Sequence, residues 1–292
     1  MNNSGSGKGE WAMSRVAIVT DSACDLTLEQ ADQRNVRVVP LTIRFGDHEF
    51  VDREDLSTKE FWDRMAIDPT MPETAAPSPG AFKQAFIDEA EAGADGVVCV
   101  TLSSKLSATY QAANIAATSV ADQIEVHVVD SLSVTVGLGL MVMTAADRAS
   151  EGRTLEEISS ELIGVRGRTR VFAIVESLEF LKRGGRIGGA QALLGSLLSI
   201  KPIIELRDGT VEVESKQRTR GRALAYLASK ALDAGPLDRL AMASAMTSDA
   251  HQLATRLAAA DCEDELVVSD IGPVIGAHAG PGTIGVSYQT AR

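Results

Sequence analysis

"VTLSSKLSATYQAA", residues 100–113, joins two kinds of structure. Val100 and Leu102 extend the apolar run "GVVCV" (96–100) and read as the end of a buried strand. The stretch closes rich in alanine, as a helix does. Between the two stand Ser103, Ser104, Ser107 and Thr109. A buried strand that feeds a helix through a short polar loop is the repeating unit of a parallel sheet covered by helices. Ligands of such sheets bind beyond the carboxyl ends of the strands, where helix N-termini offer unpaired N–H groups that suit an anion. The serines at this junction serve either as helix caps or as uncharged donors to a ligand.

The same alternation runs outward on both sides. "VAIVT" (16–20) reads as a strand, with a helix starting near Thr27. "VRVVPLTIRF" (36–45) is the next strand, with an edge or a bend at Pro40. "STKEFWDRMA" (57–66) opens on a capping box, Ser57 with Glu60. "SPGAFKQAFIDEAEAG" (78–93) has Pro79 at its start and Gly93 at its end, the usual helix punctuation. "EVHVVD" (125–130) is a strand, and two helices follow over 132–150 and 154–168. After residue 168 six strand candidates come with fewer helices between them: "VFAIV", "KPIIEL", "TVEVESK", "RLAMASAM", "ELVVSDI" and "GTIGVSYQ". Asp208-Gly209 marks a hairpin between the second and third of these. The fold class is therefore α/β with two domains. Residues 1–14 are expected to be a polar tail or an expression extension, 15–168 an α/β/α parallel-sheet domain, and 169–292 a mixed-sheet α/β domain.

Composition limits the function. Aromatic residues make up 4% of the chain, so the core must be aliphatic. A formal charge of −12 argues against a nucleic-acid or anionic-membrane partner, both of which call for basic surface. Cys24, Cys99 and Cys262 are far apart and odd in number, which points to free thiols in a reducing cytoplasm. No apolar run reaches the ~18 residues of a membrane span, and the polar start lacks the apolar region of a signal peptide. His48, His127, His251 and His278 have no zinc-site spacing, and no G-x-S-x-G, Walker or HExxH motif is present.

Four further segments hold candidate chemistry. "VTDSACDLT" (19–27) sets Asp21, Ser22 and Asp25 at a strand end, to hold a metal, a phosphate-bearing ligand or a helix N-terminus. "ETAAPSPG" (73–80) puts Thr74 in an extended loop. "LKRGGRIGG" (181–189) combines Arg183 and Arg186 with a glycine turn, an arrangement able to grip an anion or to end a helix. "GPVIGAHAGPGTIGV" (272–286) reads as an exposed glycine-rich loop carrying His278.

Taken in order, "TDSACDL", "TAAPSPGAF", "SSKLSATYQAA", "LKRGGRIGG" and "IGPVIGAHAGPGTIGV" resemble the DegV family of bacterial fatty-acid-binding proteins, from about Val16 to the end of the chain. The family pattern shows TSQPSPGEF and SSGLSGTYQSA at the second and third segments. Ala75, Ala76 and Ala108 depart from it, which changes the polar rim of the pocket. The resemblance implies a parallel domain, a mixed domain and a ligand between them. It implies a carrier rather than an enzyme, with no cofactor, expected to be a cytoplasmic monomer. The carrier would enclose one long-chain fatty acid and present it to a separate fatty acid kinase, which forms an acyl phosphate. Thr74, Ser103, Ser104 and Ser107 would hold the carboxylate, and Arg183, Arg186 and His278 would surround the head group. Two other readings stand beside it: an acyl hydrolase or transferase with a loop serine and His278, and a binder of small phosphorylated metabolites.

Overall fold

The computed structural model describes residues 15–193 and 200–291; the expected N-terminal tail lies outside the described residues. In the first half, β1 (Val16–Asp21), α1 (Leu28–Asp32), β2 (Val36–Val39), β3 (Thr42–Phe45), β4 (His48–Val51), α2 (Thr58–Ile67), β5 (Glu73–Ala75) and α3 (Pro79–Glu91) come first. β6 (Gly96–Thr101), α4 (Thr109–Ser119), β7 (Glu125–Asp130), α5 (Thr135–Ser150) and α6 (Leu155–Arg168) follow. Strands β2-β1-β6-β7, in that order, form a parallel sheet. β1 and β6 are buried along their whole length, which is why they read as unbroken apolar runs. Alternate residues serve opposite faces: Ala17, Val19, Val97 and Cys99 pack with Phe82 and Phe86 of α3. Ile18, Val98 and Val100 pack with α5 and α6. Capping boxes at Thr27–Gln30, Ser57–Glu60 and Thr154–Glu157 start three of the helices.

The second half holds β8 (Thr169–Ile174), α7 (Glu179–Arg183), β9 (Lys201–Arg207), β10 (Thr210–Gln217), α8 (Arg220–Leu232) and β11 (Leu237–Ser244). α9 (Ala250–Leu257), β12 (Val267–Asp270), α10 (Pro273–Ala279) and β13 (Ile284–Thr290) complete it. All six sequence-predicted strands form one sheet, in the order β10-β9-β8-β13-β11-β12. It is antiparallel except for β11 with β12. Asp208 and Gly209 turn the β9–β10 hairpin with φ of 49° and 80°, which the Asp-Gly pair tolerates. One face of this sheet packs on α8 and α9, and the other turns toward α5 and the parallel sheet.

Three features differ from the sequence reading. Pro40 divides the expected strand over 36–45 into β2, in the parallel sheet, and β3, which pairs with β4 and β5 in a small antiparallel sheet. Proline has no N–H to continue the ladder. The expected loop around Thr74 contains the strand β5. The glycine-rich loop over 272–280 is the helix α10. Gly276 lies so close to α2 that a side chain there would meet Phe61 at 2.6 Å and Trp62 at 2.8 Å. Glycine here serves close packing, not flexibility. Trp62 Nε1 also donates to Ile271 O at 2.9 Å. Ile271, Val274 and Ala277 therefore share one core with Phe61, Trp62 and α5. No helix among the described residues is long and apolar enough to cross a membrane.

Candidate functional site

Between the two large sheets lies a cavity of about 240 Å³, beyond the carboxyl ends of β2, β6 and β7. Leu102, Leu106, Val134 and Val136 line it from the first half, and Val171, Phe172, Ile204 and Leu206 from the mixed sheet. Ala173 and Gly285, paired across β8 and β13, also face it. Their small size leaves the lumen open where larger residues would fill it.

Four polar residues of the wall gather toward one end: Thr74, Ser107, Arg186 and His278. Thr74 Oγ1 and His278 Nε2 are 2.8 Å apart. Burial, assisted by the Arg186 guanidinium, pushes the His278 imidazole down to about 4. It is therefore neutral near pH 7, with one nitrogen donating and the other accepting. Its Nδ1 is buried with no hydrogen-bond partner among the described residues. Gly184 backs this nitrogen so closely that a Cβ there would stand 2.2 Å away. Arg186 Nε donates to Leu106 O at 3.0 Å and its Nη1 to Gly184 O, so the arginine ties the serine loop to the glycine turn. Ser107 Oγ lies 2.8 Å from Thr109 Oγ1 and accepts from Thr109 N at 3.3 Å.

Ser103, Ser104 and Arg183 are not on the cavity wall. Ser103 is fully buried, and its hydroxyl donates to Gly209 O at 2.8 Å, fastening the loop to the β9–β10 turn. Ser104 N donates to Asp130 Oδ1 at 3.1 Å, which holds that residue's backbone to β7. Arg183 points to solvent and pairs with Glu179 at 2.8 Å, one helical turn earlier. Sequence spacing could not separate serines whose hydroxyls point in different directions along one loop.

Beneath the loop are carboxylates whose part the sequence left open. Asp21 accepts from Leu102 N at 2.8 Å and Ala23 N at 3.1 Å. Asp25 accepts from Gly272 N at 3.0 Å and Thr135 Oγ1 at 2.7 Å, joining the first strand, α5 and α10. Burial pushes both carboxyls up to about 7, against the pull of those hydrogen bonds and of Arg53. Arg53, at φ 68°, donates to Ser22 O at 2.9 Å and Leu26 O at 2.8 Å. Their role is to hold backbone: Asp21, Asp25 and Arg53 do not touch the cavity. The wall residues of β8 and β13 were equally hard to find, because a strand facing a lumen alternates like one facing a core. The available signal was glycine inside a strand, at Gly285.

An α/β protein with an apolar cavity between its two large sheets, headed by a polar cluster of two hydroxyls, a neutral imidazole and an arginine, is the class that this fold and site define. The chain belongs to the DegV family: the family described as "Uncharacterised protein, DegV family" matches residues 15–291. A DegV domain-containing protein of Streptomyces coelicolor is 38% identical over 280 residues, 94% of this chain and 98% of the relative. A DegV family protein from Thermus thermophilus, whose structure is described for its fatty acid binding, superposes with a TM-score of 0.87. It is 35% identical, over 95% of this chain and 100% of that one. A stearic acid-binding protein from Eubacterium ventriosum superposes with a TM-score of 0.82. It is 28% identical, over 95% of this chain and 98% of that one.

Proposed function

We propose that this chain encloses one long-chain fatty acid and presents its carboxylate to a separate fatty acid kinase, without catalysing a reaction on its own. The observation that carries the reading is the apolar cavity ending at Thr74, Ser107 and His278. Burying about 14 methylenes at ~0.8 kcal/mol each yields about 11 kcal/mol before the costs of binding. A single neutral hydrogen bond adds about 1 kcal/mol. The tail supplies affinity, and the hydroxyls and imidazole set orientation. Neutral donors leave the carboxylate a nucleophile for a phosphoryl group, where a tight ion pair would quench it. Arg186 stands beside the head group, while Ser103, Ser104 and Arg183 support the loops around it. The bound fatty acids of the Thermus thermophilus and Eubacterium ventriosum proteins support the same reading.

A serine hydrolase fits less well. His278 pairs with Thr74 and Ser107 with Thr109, so no serine–histidine couple forms on the cavity wall among the described residues. Native mass spectrometry of the purified protein tests binding, with a retained long-chain acid as the expected mass. A phosphorylated metabolite or an acylated serine in its place would overturn the reading. Presentation is tested with a fatty acid kinase: His278→Ala and Arg186→Ala are expected to keep bound lipid yet slow acyl-phosphate formation about 100-fold. Normal phosphorylation in both variants would remove these residues from the head-group role.

A further inference from the structure

Two buried serine hydroxyls near the first turn of α5 have no hydrogen-bond partner among the described residues: Ser287, on the cavity wall, and Ser133, off it. Ser287 is 1% exposed and lines the cavity, and Ser133 is 3% exposed at the entry to α5. Gly285 and Ser287 occupy one face of β13, Thr283 stands just before the strand, and all three line the cavity. Thr283 marks the head end, because its hydroxyl donates at 2.9 Å to Ala279 O, beside His278. Ser287 follows four residues later, roughly 14 Å along the strand. The two orphan oxygens converge on the first turn of α5: a Cβ at Gly137 would stand 2.6 Å from Ser133 Oγ and 3.4 Å from Ser287 Oγ.

The surroundings are otherwise apolar, with Val171 paired to Ser287 across the sheet and Val136 on α5. Alanine would satisfy the packing at either serine and would avoid burying an unmet hydroxyl, which costs free energy. An unmet hydroxyl at a fixed depth on an apolar wall is matched by a ligand that carries its own donor and acceptor at that depth. A hydroxyl group does both. We propose that the cavity takes an acyl chain bearing a mid-chain hydroxyl group, and that Ser287 is the wall residue that reads it. This inference rests on the fatty-acid reading above and specifies the ligand within it.

The test is competition binding of stearic acid against its mid-chain hydroxy derivatives, one positional isomer at a time, to the full-length protein and to Ser287→Ala. The unaltered protein is expected to prefer one isomer over stearic acid by about 10-fold, because a site built to bond a hydroxyl disfavours the analogue that lacks it. Ser287→Ala is expected to lose that preference while still binding stearic acid, which also shows that it folds. A preference for stearic acid over every isomer would overturn the inference and leave the fatty-acid reading in place. So would a preference that survives the substitution. Failure to bind stearic acid and all its derivatives would instead overturn the fatty-acid reading itself.

Discussion

The two walls of the cavity are built in opposite ways. On the side of the parallel sheet the wall is made of loops and helix starts, and carboxylates hold it by backbone hydrogen bonds: the buried Asp21 to Leu102 and Asp25 to Gly272, and the half-buried Asp130 to Ser104. On the side of the mixed sheet the wall is regular strand, and its shape follows from side-chain size at alternate positions of β8 and β13. Loops can aim polar groups, but irregular backbone needs partners for its N–H groups. Strands need no such help and offer a smooth apolar surface. Under the proposed function, head-group contacts come from loops and short elements, with Thr74 on β5 and His278 on α10, and chain contacts come from the long strands.

Substitutions can break each wall separately. The largest effect is expected on the loop side. Asp25→Ala leaves Gly272 N and Thr135 Oγ1 without their shared acceptor, for a loss of about 3 kcal/mol in urea unfolding; an unchanged midpoint would show that the carboxylate does not prop the wall. The next falls on the strand side. Ala173→Phe fills the lumen, and since each displaced methylene forfeits ~0.8 kcal/mol, two already lower affinity more than 10-fold. Its stability should change far less than its lipid content, measured by extraction and mass spectrometry.

A pH titration sharpens the comparison further. The Asp21 and Asp25 carboxyls are raised from 3.8 to about 7, so between those values the folded state holds protons that the unfolded chain releases. Stability from these groups is present below pH 4 and is lost as the pH rises toward 7. His278 acts in the opposite sense: lowered from 6.5 to about 4, it contributes stability above 6.5 that is lost as the pH falls toward 4. Two carboxyls outweigh one imidazole, so melting temperature should fall from pH 4 to 7. Asp25→Asn should flatten the slope and His278→Ala should steepen it. The smallest effect is expected from Thr74→Val, a loss of about 1 kcal/mol in affinity with the tail still in place. A loss as large as that of Ala173→Phe would mean that the head end, not the strand wall, supplies the binding energy.

Much of this frame can be read from residues alone. Runs such as "VAIVT" and "GVVCV" mark strands buried on both faces, the boxes at Ser57 and Thr154 mark helix starts, and Asp208-Gly209 marks the hairpin. What could not be read depends on distance through space. The glycines of 272–282 look like a loop until Gly276 is seen against Phe61 and Trp62. Ser103, Ser104 and Ser107 are equivalent on paper, yet one bonds a hairpin, one is held by its backbone and one faces the cavity. The three-residue strand β5 is too short for any alternation to show, although it carries Thr74.

The seat of α10 on α2 also bears on how the chain is made. Phe61 and Trp62 leave the ribosome with the first half, but the helix that covers them is among the last parts translated, roughly 100 residues after α6. At about 5–20 residues per second that is a delay of roughly 5–20 s. For that interval the nascent first half carries an uncovered aromatic seam, and it closes only when synthesis is nearly finished.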